Sequence, residues 1–107
     1  PGIDVSIKSI YNTTAKLPII KLKKTKIVVG KNTKEALVSG FFWGYSGIIS
    51  NLIKKIEQSS NRKYKIIYTG GYSNIFRGSY KSKTIIDKNL TLIGIIEILK
   101  INEKKYL

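Results

Sequence analysis

An α/β fold is predicted for this 107-residue chain, and three observations carry the expectation. Long apolar runs at helical spacing alternate with short runs rich in isoleucine, valine and tyrosine. Glycines and a proline punctuate the ends of those runs. Hydrophobic residues make up 42% of the sequence, enough for the packed core of one small domain. The expected order is α-β-α-β-α-β-α or near it.

Ile3, Ile7, Ile10 and Tyr11 fall at helical spacing, which predicts a short amphipathic helix over 3–11, entered from Pro1-Gly2. Pro18 blocks its continuation. Residues 19–29 read as extended, partly exposed structure ending at Gly30. The strongest helical pattern runs over 33–58. Asn32 is placed to cap it, with Glu35 three residues on as a capping-box partner. Leu37, Phe41, Ile48, Leu52 and Ile56 make one apolar stripe, and Val38, Phe42, Ile49 and Ile53 a second beside it. A helix so striped is expected to be buried over much of its circumference. Ala36, Gly40, Gly44 and Gly47 add a line of small residues, which costs about 1 kcal/mol of helix propensity per glycine. Such a line makes sense where a backbone or a ligand packs closely.

Residues 36–53 hold no charge, a run of 18 residues at the lower edge of membrane-span length. Ser39, Ser46, Ser50 and Asn51 make it too polar for a lone span, and a buried soluble helix fits better. Residues 64–68 read as a strand broken by Thr69-Gly70-Gly71. A short helix through Ile75 and Phe76 follows, then a strand over 84–86. Asp87 to Asn89 lead into a last helix over about 91–102, and the tail 102–107 is expected to be mobile. The apolar helix surface exceeds what these strands cover, so the chain reads as part of a larger α/β assembly and of a dimer.

The chain has no cysteine and no histidine, which removes disulfides, thiolate metal sites and the commonest general base. The acids are Asp4, Glu35, Glu57, Asp87, Glu97 and Glu103, and no two have the spacing of a local metal site or catalytic pair. The net charge of +14 raises nucleic-acid binding as a possibility. Yet only Arg62 and Arg77 offer planar forks, while the lysines are spread along the chain among Ile and Asn. That is what an AT-rich genome would produce at solvated positions, and this reading is preferred to a nucleic-acid footprint.

Three motifs carry candidate chemistry. Thr69-Gly70-Gly71 follows a strand and precedes a helix, so its backbone can approach a ligand closely; the same residues also make a plain turn that touches nothing. Gly30-Lys31-Asn32-Thr33 opens the long helix, where the Thr33 hydroxyl can grip a ligand or simply start the helix. Asp87 with Thr91 reads as helix capping in preference to an acid beside a hydroxyl. Trp43, Phe41 and Phe42 read as core or interface.

Taken in order, Pro1-Gly2 with Ser6, Thr14-Ala15-Lys16-Leu17-Pro18, Val29-Gly30-Lys31-Asn32-Thr33, Ser39-Gly40 with Gly44, Thr69-Gly70-Gly71, and Asp87-Lys88-Asn89-Leu90-Thr91-Leu92 with Gly94 and Asn102 form a pattern. It resembles the C-terminal portion of type III pantothenate kinases, of the acetate-and-sugar-kinase, Hsp70 and actin superfamily. The resemblance implies a partial RNase H-like (actin-like ATPase) domain, the C-terminal half of a two-domain kinase that phosphorylates pantothenate at the start of coenzyme A synthesis. It implies ATP, Mg2+ and a monovalent cation (K+ or NH4+) as cofactors, pantothenate and ATP as ligands, and a cytoplasmic homodimer with no nucleic-acid or membrane partner. On this pattern Thr69, Gly70 and Gly71 face adenosine, Thr33 contacts pantothenate, and Gly40 and Gly44 lie in a packed interior or interface.

The family's two phosphate loops and its Gly-x-Asp-Arg segment would precede Pro1, so no catalytic residue and no metal ligand is expected in this chain, and no kinase activity from it alone. Thr25 stands where a proline is usual, Ser50 where an acid is frequent, and Tyr72-Ser73 where Leu-Ala is commoner. A non-catalytic accessory relative is the competing expectation, and a basic nucleic-acid-binding module a further one.

Overall fold

The computed structural model describes residues 2–14 and 17–106. Pro1, the Ala15-Lys16 part of the second motif and Leu107 lie outside the described residues. The elements are α1 (Ile3–Thr13), α2 (Thr33–Ser60), β1 (Ile66–Tyr68), α3 (Ser73–Phe76), β2 (Thr84–Ile86) and α4 (Leu90–Tyr106). The α/β class holds, with a sheet of two parallel strands in the register Ile66↔Thr84, Ile67↔Ile85 and Tyr68↔Ile86.

The segment over 19–29 is extended but is not a strand, and this corrects the expected order. Its side chains still alternate, with Ile20 and Leu22 buried and Lys21 and Lys23 exposed. What it lacks is a ladder partner, because α2 side chains take its carbonyls. Ser39 Oγ donates to the Val28 carbonyl at 2.6 Å and Trp43 Nε1 to the Ile27 carbonyl at 3.0 Å. Thr25 shapes the approach by accepting the Ile27 amide on its hydroxyl at 3.0 Å, a side-chain turn where a proline would fix φ instead.

α2 begins as its cap residues require. Asn32 Oδ1 accepts from the Glu35 amide at 2.9 Å, while Glu35 Oε2 accepts from the Lys31 amide at 2.8 Å, one residue earlier than in a standard capping box. It ends where Asn61 turns left-handed (φ 50°) and the Asn61 and Arg62 amides both return to the Glu57 carbonyl.

Of the two apolar stripes of α2, the second is covered along its length and the first only at its start, where Leu37 and Phe41 are half-buried against the core. Val38 is buried and Phe42, Ile49 and Ile53 half-buried, whereas Ile48, Leu52 and Ile56 stay exposed at 47, 55 and 55%. Burial over most of the circumference is thus overturned: two three-residue strands and a four-residue helix present too little surface to wrap 28 residues. The helix is also long and apolar enough to cross a membrane by length and composition. The small-residue line is open as well, since a Cβ added at Gly40, Gly44 or Gly47 would meet no atom within 4 Å.

The core gathers Ile7 of α1, Ile20 and Leu22 of the extended segment, Val38, Tyr68 and Phe76. Phe76 anchors α3, with its ring 6.1 Å from Phe42 and 6.3 Å from Tyr45. Burying such a ring contributes about 1.5–3 kcal/mol. α4 stands apart. Every residue from 90 to 105 is exposed, and the helix runs on to Tyr106 through the stretch expected to be a mobile tail. The radius of gyration, 18.0 Å, accordingly exceeds the roughly 13 Å of a compact domain this size.

Candidate functional site

β1 and β2 run parallel, so their carboxyl ends open on one side, the side where open α/β sheets bind ligands. Thr69-Gly70-Gly71 leaves β1 at that edge, and Asp87 leaves β2 beside it, its amide donating to the Tyr68 carbonyl at 2.9 Å. Gly70 has φ +90°, a conformation L side chains rarely adopt, and its carbonyl accepts the Ser73 amide at 3.2 Å. Gly71 has no such requirement. A Cβ there would meet no atom within 4 Å, and all three turn residues are exposed. The backbone therefore offers an open face that one methyl group would partly fill.

Two buried hydroxyls flank the turn. Tyr68 Oη and Ser73 Oγ have no hydrogen-bond partner among the described residues, and burial pushes the Tyr68 phenol up. Tyr72, between them, donates its phenol to Asp4 of α1. That bond, followed by burial, raises the Tyr72 phenol above its ordinary value.

Thr33 is the first residue of α2 and is exposed, with Asn32 taking the capping role. Its hydroxyl stands by the first turn of a 28-residue helix, where the dipole favours acceptors and anions. A cleft of about 530 Å³ next to it is lined by Lys23, Lys24, Lys26, Asn32, Lys34 and Glu35. Gly30 closes the approach: a Cβ on it would lie 2.3 Å from the Ala36 amide nitrogen, so only glycine lets this segment meet the helix. No hydrogen bond among the described residues joins Thr33 to the Thr69–Gly71 turn.

Asp87 Oδ1 accepts the Asn89 amide at 2.9 Å, and Asn89 O accepts from Ile93. It shapes the turn before α4 and does not itself cap the first-turn amides. Thr91 is exposed in that first turn. Trp43 is 43% exposed and Phe41 and Phe42 half-buried against the core.

Glu57 is the residue whose importance the sequence pattern did not announce. Its side chain is 5% exposed. Lys63 Nζ and Tyr80 Oη both donate to its Oε2 at 2.7 Å, and the Tyr64 amide reaches Oε1 at 3.4 Å. The Lys63 bond, then the Tyr80 bond, hold its carboxyl below the ordinary glutamate range. The same bonds push Lys63 and Tyr80 up. The signal was there, since residue 57 continues the Ile49–Ile53 stripe by four. Beside it lies an open cleft of about 420 Å³ lined also by Lys54, Gln58 and Arg62. Among the described residues, no three acids come together as a metal site.

Comparison with known proteins bears on this geometry. The family model described as type III pantothenate kinase matches residues 1–55, which include Thr33. The type III pantothenate kinase of Pelagibacter ubique is 41% identical over 96 residues, covering 90% of this chain and 39% of the relative. The chain belongs to the type III pantothenate kinase family. The Persephonella marina kinase is likewise 41% identical, over 92% of this chain and 38% of its own length. That of Phenylobacterium zucineum is 34% identical over 105 residues, 98% of this chain, a match that takes in the Thr69–Gly71 turn. The chain thus spans about two fifths of the length of these type III pantothenate kinases.

Proposed function

We propose that these residues form the nucleotide-side and part of the pantothenate-side wall of an ATP-dependent pantothenate kinase, within an actin-like two-domain architecture. The observation that carries the proposal is the exposed Thr69-Gly70-Gly71 turn at the carboxyl ends of two parallel strands, its Gly71 face open. Adenosine would lie against that turn. Pantothenate, an anion with amide and hydroxyl groups, would meet the Thr33 hydroxyl at the positive end of α2.

Phosphoryl transfer is catalysed mainly by positioning and by neutralising charge on in-line oxygens. Here the chain's own part is positioning. It has no histidine, and Glu57, its one buried acid, is taken up by Lys63 and Tyr80, so no residue of this chain is assigned as general base. Among the described residues no three of its acids come together as a metal site, so holding Mg2+ would need residues of the rest of the kinase; K+ or NH4+ would be the accompanying monovalent cation. The exposed isoleucines of α2 and α4 and the open Gly40–Gly44 face support packing against that remainder and against a second copy in a homodimer. Buried Ser39 and Ser46, bonded to Val28 O and to the Ser79 hydroxyl, support a packed over a membrane-spanning α2 in a cytoplasmic protein. The dispersed lysines support the absence of a nucleic-acid partner.

The test is a coupled assay on two purified samples. The full-length kinase carrying this chain is expected to phosphorylate pantothenate with ATP, and the 107-residue chain alone to show no turnover. Turnover by the isolated chain would overturn the assignment of catalysis to other residues. Inactivity of the full-length protein would favour a non-catalytic relative.

A further inference from the structure

The Thr69–Gly71 turn is thinly held. Its residues are exposed, a Cβ added at either glycine would meet no atom within 4 Å beyond the adjoining residues, and its hydrogen-bond closure is the Ser73 amide on Gly70 O. The helix after it is a single turn whose far end is fixed by buried Phe76. The near end depends on Tyr72, whose carbonyl accepts the Ile75 and Phe76 amides at 3.0 and 3.3 Å. Its phenol leaves the turn altogether and donates to Asp4, 68 residues earlier in sequence. Asp4 belongs to the first turn of α1, which is itself fixed twice. Ile7 is buried in the core, and the Ser6 hydroxyl lies 3.1 Å from that of Tyr45 on α2.

We infer that the Asp4–Tyr72 hydrogen bond is a tether that sets the position of the Thr69–Gly71 turn relative to α1, making Tyr72 a positioning residue for the nucleotide. The inference rests on the assignment of that turn to adenosine. A tyrosine–carboxylate bond is charge-assisted and directional, so it fixes distance as well as contact. Displacing a ligand-bearing backbone by a fraction of an ångström weakens the interactions that depend on it. Because the tether acts on the turn and not on α2, losing it acts on ATP and leaves pantothenate alone.

The experiment is steady-state kinetics of the full-length kinase with Y72F, D4A, D4N, the D4A/Y72F double variant and G71A, with thermal melts alongside. Y72F and D4A are each expected to raise the KM for ATP about three- to tenfold, as a displacement of the turn by a fraction of an ångström does. The KM for pantothenate should stay unchanged. D4N keeps an acceptor oxygen and should restore most of what D4A loses, and the double variant should be no worse than either single one. Exposed Asp4 gives a test even if Y72F folds poorly. An unchanged KM for ATP in Y72F and D4A, with G71A raising it, would overturn the tether while leaving the adenosine assignment standing. Equal changes in both KM values would also overturn it, as a merely structural effect. ATP kinetics unchanged even in G71A would overturn the adenosine assignment and the tether with it.

Discussion

A methyl group on residue 30 would sit 2.3 Å from the Ala36 amide nitrogen and 2.7 Å from its Cα, well inside van der Waals contact. Backbone cannot yield there as a flexible side chain can. G30A is expected to lower stability by about 1–3 kcal/mol, the usual cost of overpacking, read from the denaturant midpoint. An unchanged midpoint would mean that the 19–30 segment lies looser on α2. Glu57 acts through charge. A carboxyl lowered in the folded state adds stability above the unfolded glutamate range, and that stability is lost as pH falls through the folded value. The raised Lys63 adds stability below the unfolded lysine value, lost as pH rises through the folded one. Lys63 is 85% exposed, so solvent screens its share, and the enclosed carboxylate matters more. E57Q should lower the melting temperature at pH 7 and flatten its fall below pH about 4, near the ordinary glutamate range. Parallel melting curves against pH for the two proteins would refute this. At this scale the sequence revealed types but not partners. Gly30 was legible as the end of a segment, whereas the Ala36 amide it must clear is known only once the helix is placed.

Elements with local causes were legible. Asn32 and Glu35 announce the start of α2 because the amides they satisfy are within four residues, and the structure places both bonds there. N32A should cost about 1 kcal/mol in a thermal or denaturant melt, with N32S near the parent; equal losses would remove the capping role. Strand pairing was less legible. Ile20 and Leu22 give the alternation of a strand, yet the ladder depends on a neighbour, and Ser39 and Trp43 of α2 occupy the carbonyls instead. Polar residues on an apolar helix read as dilution of its hydrophobicity, whereas here Ser39 is a buried donor. The length of α4 was underestimated because its last residues, Asn102 to Tyr106, are polar, although an exposed helix needs no apolar pattern to continue.

For the whole molecule, family membership was legible from ordered motifs, each short by itself. Their order survives in the structure as two separated places, the start of α2 with Thr33 and the carboxyl edge of the sheet with Thr69–Gly71. The excess of apolar helix surface was legible as well; what the sequence did not convey is where it stays open, along α4, over Ile48, Leu52 and Ile56 of α2, and at Gly40, Gly44 and Gly47. These are the surfaces a protein more than twice this length would have to pack. The central claim is that the two places serve different substrates. The most direct measurement compares T33A and G71A in the full-length kinase, varying each substrate in turn. G71A is more informative than a change at Gly70, where φ +90° strains any side chain. A methyl at Gly71 meets no atom of the protein itself. T33A should raise the KM for pantothenate by about fivefold to tenfold, as loss of a hydrogen bond does, and leave that for ATP within twofold. G71A should do the reverse. Equal effects of either substitution on both substrates would contradict the account.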